Sequence, residues 1–187
     1  YDQNDILRGD DRNGGPGEVA GATDFEGHEL RRAAQINLIS GLGGLLTDAG
    51  RTNVTNGNIL LGGAGSDVLE GRGGNDIIDG DRWLDVELTA PGEPAPFDSI
   101  TDVQGRLLSG NLNPGDINIQ RSIKTGADSP DTAVFSEART NYDITSVGDR
   151  VVVNHSRGGG VAGTPGIDGE DTLLNVEFIQ FADSLLS

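Results

Sequence analysis

Two carboxylates nine residues apart, Asp67 and Asp76, each close a glycine-rich stretch: Gly62-Gly63-Ala64-Gly65-Ser66-Asp67 and Gly71-Arg72-Gly73-Gly74-Asn75-Asp76. Two positions after each carboxylate stands a large apolar residue, Leu69 or Ile78. That combination suits one kind of chemistry. Calcium takes roughly six to eight hard oxygens at about 2.3–2.6 Å. Glycines allow tight turns with positive φ that turn carbonyl oxygens inward, and the Asp adds a carboxylate. The apolar residue lies on a very short strand and points at a core. Both stretches follow the nonapeptide G-G-x-G-x-D-x-U-x, with U apolar, that winds into a calcium-binding parallel β-helix. The first matches in full; the second carries Arg72 at its second glycine. A flexible linker is the plain alternative for glycine-rich sequence. It has no reason to hold both carboxylates and both apolar residues in one register. Asp67 and Asp76 are therefore the expected metal ligands, with the carbonyls of Gly62, Ala64, Gly71 and Gly73 beside them.

The register continues weakly upstream, where Asn58 holds the Asp position and Leu60 the apolar one. Downstream it breaks. An apolar residue is due at position 87 and Glu87 stands there, while Leu84, Val86 and Leu88 alternate as in an ordinary strand. These motifs resemble the RTX family of secreted bacterial proteins. The resemblance implies a parallel β-roll whose successive turns alternate sides, with a calcium ion between motifs eighteen residues apart. Asn58 would then face Asp76, and Asp67 would face Asp85. The roll is expected to end near Asp81, and Asp81 and Asp85 are the two candidates to complete its last site. Further on, "GDRWLDVEL" and "NLNPGDINI" are similar to C-terminal segments of secreted haem-peroxidase-like RTX proteins, and the stretch from Asp131 to Asp183 looks like the cap that follows RTX repeats. The repeat match is specific but covers only 62–79; the cap match runs over 80–183 with less specific motifs.

Composition sets the limits around these motifs. A chain of 187 residues is one domain or two small packed ones. Its 30 acidic residues against 13 basic ones give a formal charge of −17, and only 34% of residues are hydrophobic. Charge of that size opposes compaction, and acidic sequence with few aromatics is commonly disordered. Calcium resolves the conflict, because carboxylates are neutralised only when the chain folds around the ion, so folding and binding form one equilibrium. The chain has no cysteine, and calcium is the staple left to a small exported domain without disulfides. A chain this acidic repels phosphate, so nucleic acid is not an expected partner. It has no apolar run long enough to span a bilayer, so no membrane insertion is expected. Beginning at Tyr1, it reads as part of something longer.

Elsewhere the signals are coarser. Asp5 and Leu7 read as the tail of another repeat. Residues 10 to 52 interrupt it, with a helix over Glu26 to Ile39 or a strand over Gln35 to Ile39 left open, and a glycine-punctuated loop at Gly41 to Gly50. Pro91, Pro94 and Pro96 mark a surface connection. Strand signals follow at Thr132 to Phe135, Tyr142 to Thr145, Val151 to Val153 and Leu173 to Phe181, and both Asp131-Thr132-Ala133 and Asp171-Thr172-Leu173 echo the repeat's ending. The acidic pairs at 10–11, 128–131 and 168–171 read as solvated turns or as metal ligands. His28-Glu29 opens a zinc motif that Arg32 fails to complete. There is no G-x-S-x-G elbow, and His155 has no supporting motif, so no catalytic site is expected in this chain.

The expected fold is mostly β. A partial repeat with a loop or helix insertion occupies 1–52, a short calcium-binding parallel β-roll 53–81, and a β-rich cap 82–187. The expected metal residues are Asn58, Gly62, Ala64, Asp67, Gly71, Gly73, Asp76, Asp81 and Asp85, holding two or more Ca2+ ions. The resemblance implies a module of a larger exported bacterial protein, peroxidase-like in one version. It would pass unfolded through type I secretion machinery and fold outside the cell on calcium. An adhesion or ligand-binding module is the alternative, and it would need an aromatic platform that Trp83, Tyr142 and Tyr1 are too scattered to form.

Overall fold

The computed structural model describes residues 4–9, 38–51 and 57–187, and the chain is mostly β. Where glycine-rich turns break the backbone, only three-residue strands fit between them. β1 (Ile6–Arg8), β2 (Ile59–Leu61), β3 (Val68–Glu70) and β4 (Ile77–Asp79) follow this pattern and fall alternately into two sheets. In the first sheet β1 and β3 pair in parallel, then β3 with β7 (Thr132–Val134) and β7 with β11 (Phe178–Gln180); β12 (Leu185–Leu186) closes the edge antiparallel. In the second, β4 lies between β2 and β10 (Glu170–Leu174), again parallel. A hairpin of β8 (Asp143–Val147) and β9 (Arg150–Asn154) extends that sheet antiparallel to β10.

The apolar position of each repeat builds the core. Leu7, Leu69 and Ala133 stand in register across the first sheet with Ile179 beyond, and Leu60, Ile78 and Leu173 across the second. All join one cluster with Phe135, Tyr142, Val153 and Phe181. Because alternate residues of a strand face opposite ways, Ile59, Leu61 and Ile77 point to the other face. There they meet Leu42, Leu45 and Leu46 of α1 (Leu42–Asp48).

That helix stands where a glycine-punctuated loop was expected. Leu42, Leu45, Leu46 and Ala49 are buried at helical spacing, and their burial outweighs the cost of Gly43 and Gly44. Arg82 fixes it to the sheets, reaching Asp48 at 2.6 Å and Asp79 at 3.5 Å. The expected helix or strand between 26 and 39 lies almost wholly outside the described residues.

Two excursions leave the sheets. Between β1 and β2 the described residues include 38–51, which hold α1. Residues 82–130 hold β5 (Arg82–Thr89) and β6 (Asn118–Thr125), an antiparallel pair, with a 3-10 turn at Ile100–Val103 running into α2 (Gln104–Leu108) between them. The boundary expected at 81/82 therefore does not divide the sheets, since β7, β10 and β11 extend ladders begun before it. The apolar stretch Leu173 to Phe181 is two strands, because Asn175 turns at φ 49° between β10 and β11. Among the described residues no helix is long and apolar enough to cross a membrane.

Candidate metal centre

Each strand of the two ladders is preceded by a residue able to offer an oxygen. Asp5, Asp67, Asp131 and Glu177 stand one residue before β1, β3, β7 and β11; Asn58 and Asp76 stand one residue before β2 and β4, and Asp171 lies at the matching register of β10. One oxygen of Asp67, Asp131, Glu177, Asp76 and Asp171 accepts from the backbone of a neighbouring turn. Asp5 N donates to Asp67 Oδ1 and Asp67 N to Asp131 Oδ1, both at 2.7 Å, and Asp131 N donates to Glu177 Oε2 at 2.8 Å. On the other side Asn58 N donates to Asp76 Oδ1 at 2.6 Å and Asp76 N to Asp171 Oδ1 at 2.7 Å.

The second oxygens lie over glycines. A methyl group on Gly62 would sit 2.6 Å from Asp67 Oδ2 and 2.4 Å from Gly80 O; on Gly71 it would sit 2.2 Å from Asp76 Oδ2. On Gly80 it would sit 2.1 Å from Asp131 Oδ2 and 2.0 Å from Asn175 O, and on Gly9 2.2 Å from Gly71 O and 2.9 Å from Asn58 Oδ1. No Cβ fits at those distances, which explains glycine at the first repeat position better than turn conformation does. Four cradles thus share one plan: an Asx oxygen of one turn packs over a glycine, and in three of them a carbonyl of the stacked turn comes beside it. A fifth breaks it. Over Gly166, five residues before Asp171, the ring of His155 fills the space at 2.2–2.3 Å.

These oxygens are costly as they stand. Asp67 Oδ2 and Asp131 Oδ2 are buried with no hydrogen-bond partner, as is Asp81 Oδ1. A buried carboxylate without a partner must be neutralised, by a proton or by a cation. Burial pushes the Asp131 carboxyl up to about 7, with repulsion from Asp67, Asp81 and Glu177 adding to it. Burial likewise raises Asp67, Asp79 and Asp81, and raises Asp171 well above the usual carboxylate range. Calcium suits such a donor set, since it binds carboxylate and carbonyl oxygens in flexible geometry. No group of three or more His, Cys, Asp or Glu side chains converges as a metal cluster among the described residues. The cradles are built instead of one side chain and main-chain carbonyls.

The expected residues divide accordingly. Asn58, Gly62, Asp67, Gly71 and Asp76 meet at cradles. Ala64 and Gly73 lie on the turns between these glycines and carboxylates. Asp81, next to Gly80 in the chain, is buried. Asp85 is elsewhere, on β5 opposite Ser122 and 3.7 Å from Lys124 Nζ. Asp131 takes the place over Gly80 that a strict nine-residue register assigns to Asp85. The Asp-x-apolar echo at Asp131 and Asp171 was the available signal for these two.

The remaining candidates behave differently. Of the acidic cluster 168–171, Asp168 is tied up by Tyr142 and by Ser136, whose hydroxyl donates at 2.9 Å. His155 is buried between Glu137 Oε2 at 3.1 Å and Asp168 Oδ2 at 3.5 Å. The Ser136 hydroxyl faces the carboxylate and not the imidazole, which is not the arrangement of an activated nucleophile. His28 and the pair 10–11 lie outside the described residues. Comparison of the chain with protein-family models, with curated proteins and with solved structures returned no match.

Proposed function

We propose that this chain is a calcium-binding module of the RTX kind, its two parallel ladders forming a β-roll that folds as the metal binds. Asp67 and Asp76 supply carboxylates, Asn58 an amide oxygen, and the turn carbonyls of Gly62, Ala64, Gly71 and Gly73 the neutral donors. Bound calcium supplies the positive charge that lets buried carboxylates stay ionised in a chain of formal charge −17. One observation carries this reading most: Asp67 Oδ2, buried and without a hydrogen-bond partner, packs over Gly62 beside Gly80 O. With Asp67 ionised, two acceptors cannot bond each other, whereas a cation binds both.

The module supports folding and secretion of a larger exported bacterial protein, because calcium is scarce inside cells and plentiful outside. With an affinity of about 0.1 mM, in the range of extracellular modules, each site contributes roughly 2.7 kcal/mol at a hundredfold excess of calcium. Circular dichroism during a calcium titration tests the reading. The expected result is a largely disordered chain in EDTA and a compact β-rich one at millimolar calcium. Magnesium should be a poor substitute, since it demands a stricter octahedron. Full native structure in EDTA, unchanged by calcium, overturns the proposal.

A further inference from the structure

The cradle over Gly80 contains no residue of either complete nonapeptide. Its Asp131 arrives 51 residues after Gly80, at the end of the excursion 82–130, and Asn175 belongs to the turn between β10 and β11. Asp131 is 0% exposed and Asp81 6%, and each keeps one oxygen without a hydrogen-bond partner. Asp131 Oδ2 and Asn175 O both approach the same point over Gly80, at 2.1 and 2.0 Å, so they lie within about 4 Å of each other. Both are acceptors. Glu177 stands alongside, its Oε2 receiving Asp131 N at 2.8 Å, and Glu177 and Asp128 both act electrostatically on Asp81. Arg82, the next residue, is ion-paired with Asp48 and Asp79.

We propose that Asp131, Asp81 and the carbonyl of Asn175 form a separate divalent-cation site, built outside the nonapeptides and completed only when the excursion returns to the sheets. The inference rests on the calcium reading above and deepens it. A calcium ion here joins three stretches far apart in sequence: the end of β4, the approach to β7 and the turn before β11. It therefore fastens 82–130 to the sheets at its point of return. Glu177 adds negative charge beside the ion while holding the Asp131 backbone.

Counting bound calcium on the full 187-residue chain, by native mass spectrometry with calcium as the only added metal, tests this. Asp81→Asn and Asp131→Asn should each bind one ion fewer than wild type. Asp67→Asn should lose a different ion, so Asp67→Asn combined with Asp81→Asn should lose two. Trp83, two residues from Asp81, gives a second readout: its emission midpoint in a calcium titration should rise about tenfold in Asp81→Asn. Should Asp131→Asn fail to fold, Asp81→Asn decides, because Asp81 is not a link in the Asp5–Asp67–Asp131 hydrogen-bond chain. A wild-type count kept by Asp81→Asn, with an unmoved Trp83 midpoint, overturns this site while Asp67→Asn still loses calcium. A wild-type chain that binds none overturns the calcium reading itself.

Discussion

The cradles over Gly62 and Gly71 are each closed by an Asp five residues later, whereas those over Gly80 and Gly9 are closed by residues 51 and 49 positions on. The geometry is shared and the chain path is not. Closing a loop of about fifty residues in place of about five costs roughly 2 kcal/mol more entropy, by the logarithmic law of loop closure. One calcium site at a hundredfold excess offsets about that much. On the proposed calcium reading, the repeats are the part of the sheets that local sequence can assemble, and the excursions are the part for which metal would be decisive.

The comparison breaks first at the glycines. Gly62→Ala and Gly80→Ala each push a methyl group within 2.6 Å of a carboxylate oxygen and within 2.4 Å of a carbonyl. Overpacking of this kind costs about 1–3 kcal/mol and occasionally more, and these two should lie at the top of that range. Denaturant melts in saturating calcium measure it. Equal losses mean that local and long-range cradles are one structure; a harmless Gly80→Ala would show that Asp131 does not close over Gly80.

A smaller effect separates ligation from charge. Asp67→Ala and Asp76→Ala should raise the calcium midpoint of folding about tenfold, worth roughly 1.4 kcal/mol. Asp102→Ala removes the same charge from an exposed 3-10 cap, where the carboxylate accepts from Ser99 N, and should leave the midpoint nearly still. Equal shifts from all three would mean that net charge alone governs folding.

What the sequence reveals follows the same division. Asp67, Leu69, Asp76 and Ile78 are legible because motif, cradle carboxylate and core residue lie within nine positions. Asp131 and Asp171 carry the same signal in three residues each, too short to stand out once the preceding glycines are displaced or replaced. Asp85 sits at the right count but on the wrong path, since the chain leaves the sheets after Asp81. The helix Leu42–Asp48 was obscured by its glycines, although the spacing of Leu42, Leu45, Leu46 and Ala49 carries a helical face. Asn175 hides a turn inside an apolar stretch, because its left-handed backbone leaves no mark on hydropathy.

Acid offers a milder way to probe the long-range cradle. Asp131 is raised by burial from 3.8 to about 7, and Asp67, Asp79 and Asp81 shift the same way. A carboxyl whose folded pKa is raised favours the folded state below its unfolded pKa, and that contribution is lost as pH rises through the folded value. In EDTA, residual structure should therefore be greatest below about pH 4 and fall as pH rises toward 7.5. With calcium bound the carboxylates are held ionised and the fall should vanish. Far-UV dichroism against pH, with and without calcium, would reveal it; residual structure that rises with pH in EDTA would contradict the assignment of buried, unneutralised carboxyls.

The smallest effect has the opposite sign. Gly43, inside α1, has open space where a Cβ would stand, with nothing within 4 Å and no positive φ. Glycine in a helix interior costs roughly 0.5–1 kcal/mol relative to alanine through backbone entropy. Gly43→Ala should therefore stabilise the chain by about that amount, because α1 packs its leucines on Ile77 and Leu174 and melts with the sheets they belong to. If α1 instead unfolds separately from the sheets, Gly43→Ala will leave the calcium midpoint and the global melt unchanged and sharpen only a local transition. Hydrogen exchange of the Leu45 and Leu46 amides distinguishes the two cases. Protection equal to that of Ile77 joins α1 to the cooperative unit, and lower protection leaves it a separately folding attachment.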